Sequence, residues 1–195
     1  MQVNLLEHTP NPERLIETAA RVCYQSQSKG APGPFIRKLI KRGHESVLEH
    51  ASATFLISGI SRACSHQLVR HRLASYSQKS QRYVEEDCWF HIIEPQSITA
   101  QRDAYVLYYQ AAEICYNAYQ KMRKMGIPKE DARMVLPQCW LTELVMTANF
   151  REWRHILKLR LDKAAQWEIR EVAGRVLQEL KQIAPNVFYD LEVID

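Results

Sequence analysis

The sequence predicts an α+β fold in which helices pack on an antiparallel sheet. Three observations carry this. Strand-like runs and helix-like periodicities follow one another irregularly, without the repeated βαβ units a parallel sheet needs. The second half is dominated by a 3.6-residue apolar period. No internal repeat, low-complexity tract or Gly/Ser linker interrupts the 195 residues, of which 46% are hydrophobic and 25% charged. Residues 1–195 are therefore expected to form a single domain with its own core.

Val3-Asn4-Leu5-Leu6 is a short strand. Asn11 and Pro12 then open a helix whose Leu15, Ile16, Ala19, Ala20 and Cys23 share a face. Residues 29–34 form a Gly/Pro loop, and Phe35, Ile36, Leu39 and Ile40 mark a second helix closed by Gly43. Ala53 to Ile57 reads as a strand, Gly59 to Ala74 as a helix, and Trp89 to Ile93 as a return strand. A long amphipathic helix spans about Ile98 to Met125, with Gly126 after it. Pro128 starts a short helix that Pro137 ends. Trp140 to Ala148 is a strand. Asn149, with Glu152 three residues on, caps a helix that buries Phe150, Trp153, Ile156 and Leu157. A last helix, about Ala164 to Ala184, buries Trp167, Val172, Val176, Leu180 and Ile183.

Composition narrows the function. The start, Met1-Gln2-Val3-Asn4, has no signal sequence and no apolar run reaches the ~20 residues of a membrane span, so a cytoplasmic protein is expected. Five scattered cysteines without a C-x-x-C pair suggest buried thiols. A net charge of +4 fits an anionic substrate and falls short of a nucleic-acid binder's basic stripe.

The basic residues are concentrated. From His50 to Val84 there is no carboxylate, and Arg62, Arg70, Arg72, Lys79 and Arg82 lie inside this stretch. Guanidinium groups bind phosphate oxygens in pairs and serine hydroxyls add neutral hydrogen bonds, so Arg70 to Tyr83 reads as a site for a small phosphorylated ligand. A solvated helix end would explain Arg70 and Arg72 through the helix dipole, but not Ser80 and Arg82 beyond it. On that helix Gln67, Arg70 and His71 are spaced i, i+3, i+4 and share a face. His44-Glu45 with His50 resembles a zinc-hydrolase helix only superficially. Its histidines are six residues apart where H-E-x-x-H needs four, so no metal site is expected.

Four ordered blocks resemble the flavin-dependent thymidylate synthases, the ThyX family. These are Gly43-His44-Glu45-Ser46; Arg70-His71-Arg72, then seven residues, then Ser80-x-Arg82; Ala132-Arg133-x-x-Leu136-Pro137; and Asn149-x-Arg151 with His155, Leu159-Arg160 and Ala165-Gln166-x-Glu168-Ile169-Arg170. The resemblance implies an α+β fold and reductive methylation of dUMP to dTMP. It implies methylenetetrahydrofolate as carbon donor, FAD as cofactor and NADPH as its reductant. It also implies a homotetramer with active sites at subunit interfaces. That agrees with a chain of six glycines lacking a one-chain dinucleotide motif.

Flavin contacts implied are Ser46, Arg70, His71, Arg72, Gln78, Asn149, Arg151 and His155, with His44 nearby. Implied dUMP contacts are Gln67, Arg70, Ser80, Gln81, Arg82, Arg133 and Arg160, the last facing the pyrimidine as the catalytic residue. Two positions depart from many relatives: Ser77-Gln78 where Asn-Glu is common, and Ala164 where histidine is common. The competing classes are a nucleotide- or nucleic-acid-binding module without catalysis and a zinc hydrolase.

Overall fold

The computed structural model describes residues 1–193 apart from 24, 29, 89 and 90. Strand β1 (Gln2–His8) pairs antiparallel with β2 (Ser52–Ser61), setting Val3 opposite Ile57 and Leu5 opposite Phe55. The register shifts between Leu5 and Glu7, and Leu6 is left half exposed at this bulge. Strand β4 (Leu141–Asn149) lies between β2 and β3 (Ser75–Gln78), so the antiparallel sheet runs β1-β2-β4-β3. Ala53, Phe55 and Ile57 of β2, and Leu144, Met146 and Ala148 of β4, are buried at every second position, as the pleat requires.

The chain forms two compact units interleaved along the sequence. The first comprises 1–58, 67–77 and 145–195; the second comprises 59–66 and 78–144. The first holds α1 (Pro12–Val22), α2 (Gly33–Lys41), a 3-10 turn (Ser46–His50), α7 (Phe150–Arg160) and α8 (Trp167–Ile183). Helix α7 starts where predicted, because the Asn149 side-chain oxygen accepts the Glu152 amide at 2.8 Å. Its inner face carries Phe150 against Phe188, ring centres 5.3 Å apart, and Trp153 edge-on to Phe55 at 5.2 Å. The Trp153 indole N–H donates to the Ala53 carbonyl at 3.1 Å, which ties α7 to β2.

Helix α3 (Arg62–Leu68) begins in the second unit. That unit also contains α4 (Gln96–Thr99), α5 (Arg102–Lys124), α6 (Lys129–Ala132) and a 3-10 turn at Arg133–Val135. Its core centres on Trp140, fully buried and stacked on Tyr116 at 5.8 Å, with Ala112 and Ile92 beside it.

Several expectations are corrected. The helix expected from Gly59 to Ala74 is seven residues long. Gly59 takes φ +66° and β2 continues past it to Ser61. At the other end the Leu68 carbonyl accepts the His71 amide and lies 2.8 Å from the Tyr76 hydroxyl, so the chain turns away. The residues beyond then form β3, a strand the sequence pattern does not mark. The long second-half helix is broken at Gln101, whose backbone is extended, into α4 and α5. Of the strand expected at 89–93, Ile92 makes one bridge to Trp140; Trp89 and Phe90 lie outside the described residues.

Asn11 takes a left-handed conformation and its side chain does not cap α1. Glu49 and His50 close a 3-10 turn two residues before β2. Trp167, expected in the core, is 39% exposed because it begins α8 ahead of the buried stripe. Among the cysteines only Cys64 is buried, and Cys23 is exposed.

Candidate active site

Within the first unit, the residues of three motifs converge. The turn after α3 places His71 inward, 5% exposed, while its neighbours Arg70 and Arg72 point out to solvent. The shared helix face expected for Gln67, Arg70 and His71 does not form, because α3 ends at Leu68. Arg160, the last residue of α7, donates from Nε to His71 Nε2 at 3.0 Å and from Nη2 to the Gln67 carbonyl at 3.2 Å. Since Nε2 accepts, the ring proton sits on Nδ1, which faces Glu152 Oε1 at 3.9 Å.

Burial first, then the charges of Arg160 and His155, hold the His71 pKa down to about 4. The imidazole is therefore neutral, and its approach to Glu152 is a dipole–carboxylate contact, not an ion pair. Burial raises the Glu152 carboxyl above the usual range, against the lowering effect of His155.

A measurable consequence follows. The unfolded His71 binds a proton near pH 6.5 and the folded one only near 4, so its contribution to stability is complete above 6.5 and is lost as pH falls towards 4. Glu152 acts in the opposite direction, since its folded form holds a proton more strongly. Denaturant midpoints of wild type and His71→Gln, compared from pH 7 to 4.5, should converge as pH falls. A constant difference across that range would show that His71 is not held neutral.

Beside this cluster, a cavity of about 560 Å³ opens in the first unit. Asn149, Arg151 and His155, three of the residues the resemblance assigns to the flavin, line it. Glu45, Glu49, Glu152, Lys158 and Leu73 line it as well, and the motif reading missed all five as site residues. The capping pattern Asn149–Glu152 was the signal that could have placed Glu152 here. Glu49 pairs with Arg151 and Glu45 with Lys158. Ser46 begins the 3-10 turn that also carries Glu49, and His44 follows Gly43, whose φ of +73° closes α2. Leu73 is 77% exposed, an apolar side chain with nothing of its own unit over it.

The second unit gathers a different set. A cavity of about 330 Å³ is lined by Gln81 and Arg133, both predicted, and by Arg62 and His66, which were not. Arg133 donates from Nε to the Glu130 carbonyl at 3.1 Å, while the Glu130 carboxylate pairs with Arg82 at 3.1 Å. Arg82 is half exposed and does not line this cavity. Ser80 is half buried, its hydroxyl accepting the Arg82 amide at 3.3 Å. The Gln78 amide nitrogen donates to Ser65 and Thr142 at 2.9 and 3.1 Å, which leaves only its oxygen for a ligand. Among the described residues no group of three or more side chains could hold a metal, and no helix is long and apolar enough to cross a membrane.

Comparison with known proteins agrees with the motif order. The family model described as thymidylate synthase complementing protein matches residues 4–186. The flavin-dependent thymidylate synthase of Geobacter sulfurreducens is 45% identical, with 97% of this chain and 86% of that protein aligned. Those of Clostridium tetani and Pyrococcus abyssi are 39% and 41% identical over 96% and 92% of this chain, covering 85% and 79% of theirs. A crystal structure of flavin-dependent thymidylate synthase ThyX from Helicobacter pylori, complexed with FAD and dUMP, superposes with a TM-score of 0.83 at 25% identity. It covers 98% of this chain and 99% of that one. By its matching family model and its relatives across nearly all its length, the chain belongs to the flavin-dependent thymidylate synthase family.

Proposed function

We propose that the protein methylates dUMP to dTMP, taking the carbon from methylenetetrahydrofolate and the reducing equivalents from NADPH. The observation that carries this reading is the fixed guanidinium of Arg160 in a chain of this family. Methylation at C5 of uracil requires that carbon to become nucleophilic, which spreads negative charge over the ring carbonyls and N3. A guanidinium already held by His71 and Gln67 meets that charge without reorganising, which is electrostatic preorganisation. Two of its five N–H groups are engaged, leaving three for substrate.

The residues suit FAD, which when bound supplies the hydride. Asn149, Arg151 and His155 line the cavity of the first unit, and Leu73 offers it an exposed apolar surface. Arg70 and Arg72 are exposed cations with no ion pair among the described residues, as a diphosphate ligand requires. His71, buried and turned to Arg160, acts on the ligand through that arginine. Ser46 and His44 are assigned to the flavin from the family resemblance. Gln67, Ser80, Gln81, Arg82 and Arg133 are assigned to dUMP on the same ground.

A homotetramer with active sites between subunits fits the surface of α5. Only Ala112 and Tyr119 of that helix are buried, while Val106, Leu107 and Ile114 stand exposed. Purified protein is expected to show a flavin absorption band, to run as a tetramer in light scattering, and to release flavin when diluted into monomers. It should form dTMP only with dUMP, methylenetetrahydrofolate and NADPH all present. Protein that neither carries nor takes up FAD would sink the catalytic reading, and a monomer holding FAD at full affinity would sink the shared site.

A further inference from the structure

The chain holds a second acid-free stretch, which neither the motifs nor the site described above uses. Between Glu17 and Glu45 there is no carboxylate, and Arg21, Lys29, Arg37, Lys38, Lys41 and Arg42 fall inside it. The last four belong to α2 and its C-terminal end. Ile36, Leu39 and Ile40 of that helix are buried, which turns Arg37, Lys38, Lys41 and Arg42 to solvent. These four, with Pro34 and Asn186, line a cavity of about 660 Å³ in the first unit.

A solvated helix face is the plain alternative, and the helix dipole favours Lys41 and Arg42 at that end. Two details exceed it. Solvated faces mix signs, as α8 does in pairing Glu171 with Arg175. Among the described residues no carboxylate lines this cavity or pairs with any of its four cations. The second detail is that Arg37 is held in place. Its Nε donates to Asn186 Oδ1 at 2.8 Å, and its guanidinium lies 5.1 Å from the centre of the Tyr189 ring. Asn186 is fixed in turn, donating from its backbone and side-chain nitrogens to the Glu13 carboxylate at 2.7 and 2.8 Å. A guanidinium so anchored loses little freedom when it binds an anion.

Position points to the ligand. Arg42 lines this cavity, and Glu45, three residues on, lines the cavity assigned to the flavin. Three residues span at most about 10 Å, less than the length of a folate from pterin to glutamate. We propose that this face of α2 binds the anionic tail of the folate co-substrate, a γ-linked oligoglutamate, with Arg37, Lys38, Lys41 and Arg42 as a cationic track. A compact phosphate needs donors that converge on one point. These four cations are spread along about 7.5 Å of helix axis, which suits a chain bearing one carboxylate per residue. The inference rests on the reading of the chain as a methylenetetrahydrofolate-dependent enzyme.

The test is steady-state kinetics of the flavin-loaded enzyme with methylenetetrahydrofolate carrying a single glutamate or an oligoglutamate tail. Wild type should show a KM about tenfold lower for the tailed substrate, the sum of several exposed pairs. That advantage should shrink as salt is raised towards about 1 M. In Lys38→Gln/Lys41→Gln most of it should vanish. In Lys38→Glu/Lys41→Glu it should reverse, the tail now weakening binding. Glutamine and glutamate both favour helix, so α2 is retained in either variant. The KM for NADPH should match wild type throughout. Equal KM for the two folates in wild type overturns the proposal, as does an advantage that persists in the charge-reversed variant. A KM for NADPH that rises while the tail keeps its advantage would give the face to a phosphate and overturn it too. Failure of the underlying reading is distinct: the unaltered, flavin-loaded enzyme would then form no dTMP from either folate.

Discussion

Replacing Arg160 with lysine is expected to cut kcat for dTMP formation by about 10²–10³, the range for losing one preorganised donor to developing charge. Affinity for dUMP should change little. Lysine keeps the positive charge but presents it as a point, and it cannot donate to His71 Nε2 and Gln67 while addressing two ring atoms together. The geometry makes the effect selective. Arg160 is held by groups of its own chain whether or not substrate is present, so its contribution is concentrated where negative charge develops. Pre-steady-state reduction of the flavin by NADPH should run at the wild-type rate, because that step does not involve C5 of uracil. Loss of kcat should therefore appear without loss of flavin content. A variant whose KM rises while kcat holds would show that Arg160 contributes only uniform binding.

The largest effect on stability is expected from Asp190→Ala, about 3 kcal/mol, the lower end for breaking a buried ion pair. Arg154 is 1% exposed and bonds Asp190 in a fork, Nη1 to Oδ1 at 2.7 Å and Nη2 to Oδ2 at 2.8 Å. The Val187 carbonyl and Glu45, at 3.4 Å, complete its surroundings. Burial would lower the arginine's proton affinity, but these carboxylates more than compensate and raise it. Removing Asp190 takes away the fork and leaves the buried guanidinium only the Val187 carbonyl and Glu45 at 3.4 Å. The melting temperature should fall by roughly 2–4 °C per kcal/mol for a chain of this size. Adding Arg154→Met to the same variant should recover most of the loss, since the buried charge leaves with its partner. A double variant no more stable than Asp190→Ala would mean that the cost lies in packing around residues 187–190, not in an under-compensated buried charge.

Much of this molecule was legible in local patterns. The strands at β1, β2 and β4 follow from apolar alternation, and α2 ends where Gly43 supplies a left-handed residue. The start of α7 follows from an oxygen three residues ahead of an amide it can reach. Motif order alone indicated the family. The failures share a cause. Around residues 59–78 the helical period of the side chains was real, but Gly59 and the Tyr76 hydroxyl redirect the backbone, and neither acts through periodicity. Arg154 and Arg151 look equivalent on a basic helix, yet one is buried against Asp190 and the other lies on the surface with Glu49.

The sequence by itself determined the fold class and the family, because these rest on spacing along the chain. Only the tertiary structure decided which charges are paired and which remain available to a ligand. Arg82 carries the family's motif and is matched by Glu130, while Arg62 carries no motif and faces Arg133 across a cavity that no carboxylate lines. Pairing depends on distances between side chains far apart in sequence, 48 residues for Arg82 and Glu130, and no local pattern encodes it.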